Sequence, residues 1–312
     1  MRSRPLLTIG LLLGAVAGVA QDRSFDRIDR AQGLPGSEVM ALHEDRQGYI
    51  WIGTTNGLAR YEGVRIHTWY HDRKDPRSIS NNGIWDITAG DDGTVWIATD
   101  HGLCAYDAMR GDFDRVYVTD AYHSATSANR IHRIASDGAG HLWLSTEDGI
   151  HRLDQRTRKA VPLPVDPAAD AMKKRMTVFE MEPDPWHHGV WMSTRAGIIF
   201  YDTEAGRIVD HATSTLPFNC LDDSTALCAT PDGRGGVLWF SQRDQRIHAA
   251  DTDGNPIFSS TIPVEPVAAT PQFIAQDRDG HVWVSRWTHD LFILTDGRWE
   301  AVRPQEQRPW PQ

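Results

Sequence analysis

The chain has three cysteines in 312 residues, Cys104, Cys220 and Cys228, which rules out a disulfide-stapled scaffold and leaves the fold to a hydrophobic core. Cys104 lies in an expected strand and reads as a small buried side chain. Cys220 and Cys228 are spaced to pair across a loop in an oxidising compartment, and the sequence leaves that pairing open. Positive charge is also short. The 32 Lys and Arg residues face 42 Asp and Glu, a net charge of -10, which excludes nucleic acid and anionic lipid surfaces as partners. Catalytic signatures are missing as well. There is no Gly-x-Ser-x-Gly, no His-Glu-x-x-His and no phosphate loop, so no enzyme class and no cofactor is indicated. The adjacent pair His187-His188 lacks the separation of zinc ligands, and Asp251-Thr252-Asp253-Gly254 offers too few oxygens for a calcium loop. No metal is expected.

Long apolar runs are absent after residue 20. The one run present, Leu6 to Ala20, follows Arg2 and Arg4 and ends in Gly18-Val19-Ala20. It is shorter than the roughly 20 apolar residues a spanning helix needs, and its order is that of a secretory signal peptide cleaved after Ala20. Residues 1–20 are therefore expected to be a signal peptide and 21–312 an exported, soluble sensor domain. No Cys follows the run to take a lipid.

What the sequence does have is a repeat. Trp51, Trp96, Trp143, Trp191, Trp239 and Trp283 stand 45, 47, 48, 48 and 44 residues apart, a period that means a propeller or solenoid. Each sits in an apolar, β-branched run such as Tyr49-Ile50-Trp51-Ile52, which reads as a buried strand. Three residues on stands Thr54, Thr99, Thr146 or Thr194, and six on stands Gly57, Gly102, Gly149 or Gly197, where a tight hairpin needs positive φ. Upstream, Asp45 with Gly48, Asp137 with Gly140 and Asp277 with Gly280 open and close a turn. A further turn and a short fourth strand, such as Arg65 to Tyr70, complete about 46 residues, one four-stranded blade. The register loosens in the fifth and sixth units, where Gln242 and Gln245, then Arg286 and His289, replace Thr and Gly. A large aromatic at one strand position in every unit is a packing residue rather than a sugar platform.

The segments Asp45 to Tyr61 and Asp92 to Asp107, with Gln32-Gly33-Leu34-Pro35 ahead of them, resemble the two-component regulator propeller repeat. The resemblance is specific in three units and looser in the last three. It implies an all-β fold of four-stranded antiparallel blades, six of them visible, from a ring that usually has seven. It also implies the extracytoplasmic sensor half of a bacterial signalling protein, non-catalytic itself, whose membrane helix and histidine kinase or diguanylate cyclase would lie in a downstream segment absent here. Membrane contact would run only through that segment, and dimerisation of the full-length sensor is left open. Phe25 to Ile28 reads as a fourth strand without its own preceding three. The expected repair is a seventh blade completed beyond Gln312, the alternative being a six-bladed ring with a surplus strand.

Departures from the repeat gather at one end. The loops leading into the inner strands bring Asn82, Trp85, Asn129, Arg130 and His132, and the hairpins between second and third strands bring His101, Arg195, Arg243, Arg286 and Trp287. The candidate ligand-binding set is Asn82, Trp85, His101, Arg130, Arg286 and Trp287. Aromatic, Arg and Asn side chains together suit a small polar ligand or an oligosaccharide. Two other functions compete. The fifth unit, Pro231-Asp232-Gly233 followed by Trp239-Phe240 and Ile247, also resembles streptogramin lyase repeats, but without a matched catalytic set. A protein-interaction platform is the third.

Overall fold

The computed structural model describes residues 27–119, 127–163, 178–184, 188–194, 197–209, 229–231, 237–241, 244–250, 255–262, 271–277, 279–286 and 291–302. The expectations for residues 1–20, Cys220, Cys228, His187 and residues 251–254 lie outside them. Among the described residues, no helix is long and apolar enough to cross a membrane.

Six four-stranded antiparallel sheets follow one another along the chain. The first holds β1 (Val39–Glu44), β2 (Ile50–Thr54), β3 (Gly57–Tyr61) and β4 (Ile66–Trp69). The second holds β5 (Ile84–Ala89), β6 (Val95–Thr99), β7 (Gly102–Asp107) and β8 (Asp112–Val116). The third holds β9 (Ile131–Ser136), β10 (His141–Thr146), β11 (Gly149–Asp154) and β12 (Lys159–Pro162). The fourth holds β13 (Val178–Asp184), β14 (Gly189–Thr194), β15 (Gly197–Asp202) and β16 (Arg207–Val209). The fifth holds β17 (Ala229–Pro231), β18 (Val237–Ser241), β19 (Arg246–Ala250) and β20 (Pro256–Thr261). The sixth holds β21 (Pro271–Gln276), β22 (Val282–Arg286), β23 (Leu291–Thr295) and β24 (Arg298–Val302). The inner strands pack β1 on β5, β5 on β9, β9 on β13 and β13 on β17, while β18 meets β21. The architecture is a six-bladed β-propeller.

The core lies between blades. Side chains alternate across each strand, so the residues flanking each Trp face one neighbour and the Trp faces the other. Trp51 packs on Ile84, Ile87, Val95 and Ile97 of the second blade, Trp96 on Ile131, Ile134 and Leu142 of the third, and Trp143 on Met181, Val190 and Met192 of the fourth. Trp51, Trp96, Trp143 and Trp191 are all buried.

The turn Asp does more than start a turn. Asp45 Oδ1 accepts the Gln47 and Tyr49 N–H groups, while its Oδ2 accepts the Trp51 indole N–H at 2.7 Å. The same link joins Asp137 to Trp143 at 3.3 Å, Asp184 to Trp191 at 2.8 Å and Asp277 to Trp283 at 2.8 Å. A buried indole N–H without a partner is costly, and one carboxylate ties turn to core. In the second blade Gly90 stands at that Asp position, and the buried Trp96 indole N–H has no hydrogen-bond partner there among the described residues. Asp137→Ala is expected to cost about 1 to 3 kcal/mol in urea unfolding. Asp92→Ala, in a turn with only the Thr94 N–H to cap, should cost about 0.5 kcal/mol. At Asp277, burial raises the carboxyl pKa, but bonds from the Trp283 indole and from the His281 ring and backbone outweigh it and bring the value down to about 2. That group stabilises the fold above pH 4, and the contribution is lost as pH falls toward 2.

The hairpins are closed by Thr and Gly together. Thr54, Thr99 and Thr146 each donate Oγ1–H to the carbonyl of Gly57, Gly102 or Gly149 at 2.8, 2.8 and 2.9 Å. Those glycines sit at φ 133°, 96° and 121°, conformations that L side chains rarely adopt.

Two expectations need correction. In the fifth blade the register slips by one residue. Leu238 and Phe240, with Ile247 and Ala249, pack on Ile274, Val282 and Val284 of the sixth blade, so Trp239 points back toward the fourth. Its ring stacks on His248 at 5.2 Å, and the β18–β19 hairpin pairs Ser241 with Arg246 where the first blade pairs Thr54 with Gly57. The other correction concerns Ile28, which belongs to no strand. Asp29 caps a 3-10 turn at Arg30–Gln32, and Ile28 and Leu34 lie on Ile52 and Ala59, over the first blade's outer face. Among the described residues, β21 shows no packing on β1 comparable to that between the other inner strands. Along that seam Leu42 is 66% exposed and Phe273 is 52% exposed.

Candidate functional site

Because strands alternate direction, the loops leading into the inner strands share one end of the propeller with the hairpins between second and third strands. Backbone bonds join the two sets: Gly57 N–H donates to Asn82 O at 2.8 Å, Asp100 N–H to Gly83 O at 3.3 Å, and Glu147 N–H to Arg130 O at 3.2 Å. Asn82, Trp85, His101 and Arg130 therefore lie at this end, each with a contact of its own. Asn82 Oδ1 accepts the His71 N–H at 2.7 Å, and buried Asn129 takes the Val118 N–H at 2.9 Å. Both asparagines clamp the chain leaving an outer strand to the start of the next inner strand. Trp85 donates its indole N–H to Asp100 Oδ1 at 2.8 Å and meets the His132 ring edge-on at 5.3 Å. His101 lies against the Tyr117 ring at 5.5 Å. Arg130 Nη1 donates to Glu147 Oε1 at 3.0 Å. Arg286 is placed by its backbone alone, opposite Pro271; Trp287, Arg195 and Arg243 lie outside the described residues.

The inner strands carry a second set of residues, one that sequence reading passed over. Asp86 on β5, Arg133 on β9 and Glu180 on β13 occupy one register, opposite Ala98, Ser145 and Ser193 of their second strands, each beside a bulge. The same position holds Ala41 in the first blade and Phe273 in the sixth. Asp86 accepts the Ile87 N–H at 2.9 Å and the Ile134 N–H at 2.8 Å. Arg133 donates Nε–H to Phe179 O at 2.6 Å and Nη1–H to His132 O at 2.8 Å and Trp85 O at 3.4 Å, with Nε 3.8 Å from the Glu180 carboxylate. Burial pushes Asp86 up to about 6, against the pull of Arg133 and of the two backbone donors. Burial likewise pushes Glu180 up to about 7, with Arg133 opposing and the Asp86 charge adding to the rise. Burial also lowers the pKa of His132. Trp85, His132 and Phe179 each directly precede one of the three charged residues on the same strand. Alignment on the register Trp hides the set, since Asp86 and Arg133 lie ten residues before Trp96 and Trp143 but Glu180 lies eleven before Trp191.

At the opposite end, a cavity of about 580 Å³ opens between the first two blades, lined by Tyr49, Arg60, Asp92, Tyr106, Asp107 and Arg158 among others. Its polar groups are largely engaged with one another. Arg60 bonds Glu62 and the Tyr106 hydroxyl and lies 4.8 Å from the Tyr49 ring, while Asp114 on its rim takes Arg110 and Arg158. Among the described residues, Asp277, Asp279 and His281 form one group with metal-ligand atoms. Asp277 Oδ2 is already shared by the Trp283 indole and the His281 ring.

These features define a propeller whose axial end, rather than its rim of repeat-keeping turns, holds the chemical variety. Residues 33–56 match the family model of the two component regulator propeller, so the repeat that the sequence resembles is present at the first blade. No curated protein matches the chain in sequence. Among solved structures, it is similar to the extracellular domain of a hybrid two component system from B. thetaiotaomicron, at 20% identity and a TM-score of 0.65 over 90% of this chain. The chain spans 37% of that protein's length. It is also similar to virginiamycin B lyase from Staphylococcus aureus, at 16% identity and a TM-score of 0.62, covering 87% of this chain and 85% of that one. YCF48 bound to D1 peptide matches at 11% identity and a TM-score of 0.57, over 85% of this chain and 81% of that one. At these identities the likeness is one of fold.

Proposed function

We propose that this chain is the ligand-sensing propeller of an extracytoplasmic bacterial signalling protein, with no catalysis of its own. The observation that carries the reading is the axial set Asp86, Arg133 and Glu180, charged groups on three neighbouring inner strands where other blades place Ala41 and Phe273. A charged set that the repeat does not require is what a binding site grafted on a scaffold leaves behind. Trp85, His132, His101 and Arg130 lie at the same end of the propeller and offer stacking and directional hydrogen bonds to a small polar ligand or a sugar. The matched family model and the fold shared with a hybrid two component sensor support the same assignment. The exposed seam at Leu42 and Phe273 favours closure of the ring by a seventh blade, and kinase or cyclase output in a further segment is what the family likeness suggests.

Export is expected to cleave the chain after Ala20, so intact-mass measurement of the periplasmic product should give Gln21 as its first residue. Retention of Met1 through Ala20 would contradict it. Sensing is tested by screening glycans and small metabolites for a thermal shift against the parent and Trp85→Ala. A hit that Trp85→Ala weakens at least tenfold, with melting unchanged, is the expected result; a hit unaffected by Trp85→Ala places the site elsewhere. A lyase-type enzyme is the second reading. Its supporting observation is that Asp86 and Glu180, at about 6 and about 7, sit in the range of general acids and bases. Turnover of a screened hit, abolished by Glu180→Gln, would favour it over sensing.

A further inference from the structure

We infer that Asp86, Arg133 and Glu180 form a subsite for an organic monocation, a single ammonium group on a short apolar or aromatic body; this rests on the sensing function proposed above and names its ligand class. With all three ionised, the set carries one net negative charge. Arg133 is part of the wall: its Nε–H and Nη1–H are spent on the carbonyls of Phe179, His132 and Trp85. The carboxylates are less engaged. Asp86 accepts two backbone N–H groups, and Glu180 accepts one, from Met181, with Arg133 Nε 3.8 Å away. A carboxylate has about four acceptor positions, so both retain capacity for N–H donors.

The electrostatics point the same way. A proton taken up at Glu180 neutralises the surplus charge of the empty set, and a bound ammonium would take that proton's place. Charged groups from the packed elements are Asp86 on β5, His132 and Arg133 on β9, and Glu180 with Glu182 on β13; Asp100 and Glu147 stand near His132. β17, next in the ring, contributes no titratable residue. Trp85 and His132, whose rings meet at 5.3 Å, supply aromatic surface at this end of the propeller, and aromatic rings favour an ammonium over a neutral hydroxyl ligand. A divalent metal fits poorly, since it needs about six oxygen ligands and Arg133 occupies the centre.

The test is calorimetric titration of the full chain with tyramine and butylamine at pH 8 and pH 5.5, with the neutral isostere tyrosol and the anion 4-hydroxyphenylacetate as comparisons. At least one amine is expected to bind, about tenfold more tightly at pH 8 than at pH 5.5 because Glu180 must lose its proton, while the neutral and anionic compounds stay silent. Glu180→Gln and Asp86→Asn, which mimic the protonated side chains and so keep the fold, should each weaken the amine at least tenfold, and Glu180→Gln should also remove most of its pH dependence. Amine binding that is equal at both pH values or survives both substitutions overturns the proposal, as does silence of both amines. A neutral sugar that binds through Trp85 while the amines are silent overturns the cation class and leaves sensing standing. Silence of the amines and of the whole screen removes both.

Discussion

Trp143→Ala is expected to lower the free energy of unfolding by about 3 to 5 kcal/mol, seen as a drop in the urea midpoint followed by circular dichroism. The ring is fully buried between the third and fourth blades, against Met181, Val190 and Met192, and lies 5.0 Å from the Tyr201 ring. Its removal opens a cavity that two sheets, each held by its own backbone ladder, cannot close. It also strips Asp137 of its indole donor. A variant as stable as the parent would mean that blade contacts, not the Trp layer, hold the propeller together.

Arg133→Ala is expected to cost about 2 to 3 kcal/mol at pH 8, a loss that shrinks as pH falls. The cation spans three blades through the carbonyls of Trp85, His132 and Phe179 and opposes the rise in both carboxyl pKa values. Asp86 and Glu180 have folded values of about 6 and about 7, above their ordinary 3.8 and 4.5. The folded state therefore binds more protons than the unfolded one, and these two groups make the parent less stable as pH rises from about 4 to 7. Without Arg133 both values move higher, so the penalty in the variant extends further up the pH scale. Below about pH 3 both carboxyls are protonated folded or unfolded, and only the lost hydrogen bonds remain. Urea midpoints of parent and variant between pH 4 and pH 9 should therefore diverge steadily; parallel curves would show that Arg133 acts through packing alone.

The blades were legible because the same residues recur under the same constraint. Thr54, Thr99 and Thr146 bond the carbonyl of a positive-φ Gly, and Asp45, Asp137 and Asp277 hold both a turn and an indole. Repetition made them visible before any contact was known. Trp239 shows the limit of that signal. It keeps the spacing of 48 residues, yet sits one position out of phase, because Ser241 and a longer hairpin shift the strand. A one-residue slip exchanges the two faces of a strand, and spacing alone does not report it. The axial end was legible as a region, through Trp85, His101 and Arg130, but Asn82 of the candidate set serves the fold, as Asn129 beside it does. Asn82 and Asn129 clamp the chain for the same physical reason in consecutive blades. Asp86, Arg133 and Glu180 stayed hidden because each occurs once and the register that unites them runs through bulges on three strands.

The measurement that tests the central claim most directly is hydrogen exchange of the full chain, with and without a hit from the ligand screen at saturating concentration. The account predicts that protection gathers at the axial end, in residues 84–89, 131–136 and 178–184, with little change in residues 45–49 and 105–114 around the cavity between the first two blades. Protection confined to that cavity, with the three inner strands unchanged, would contradict it.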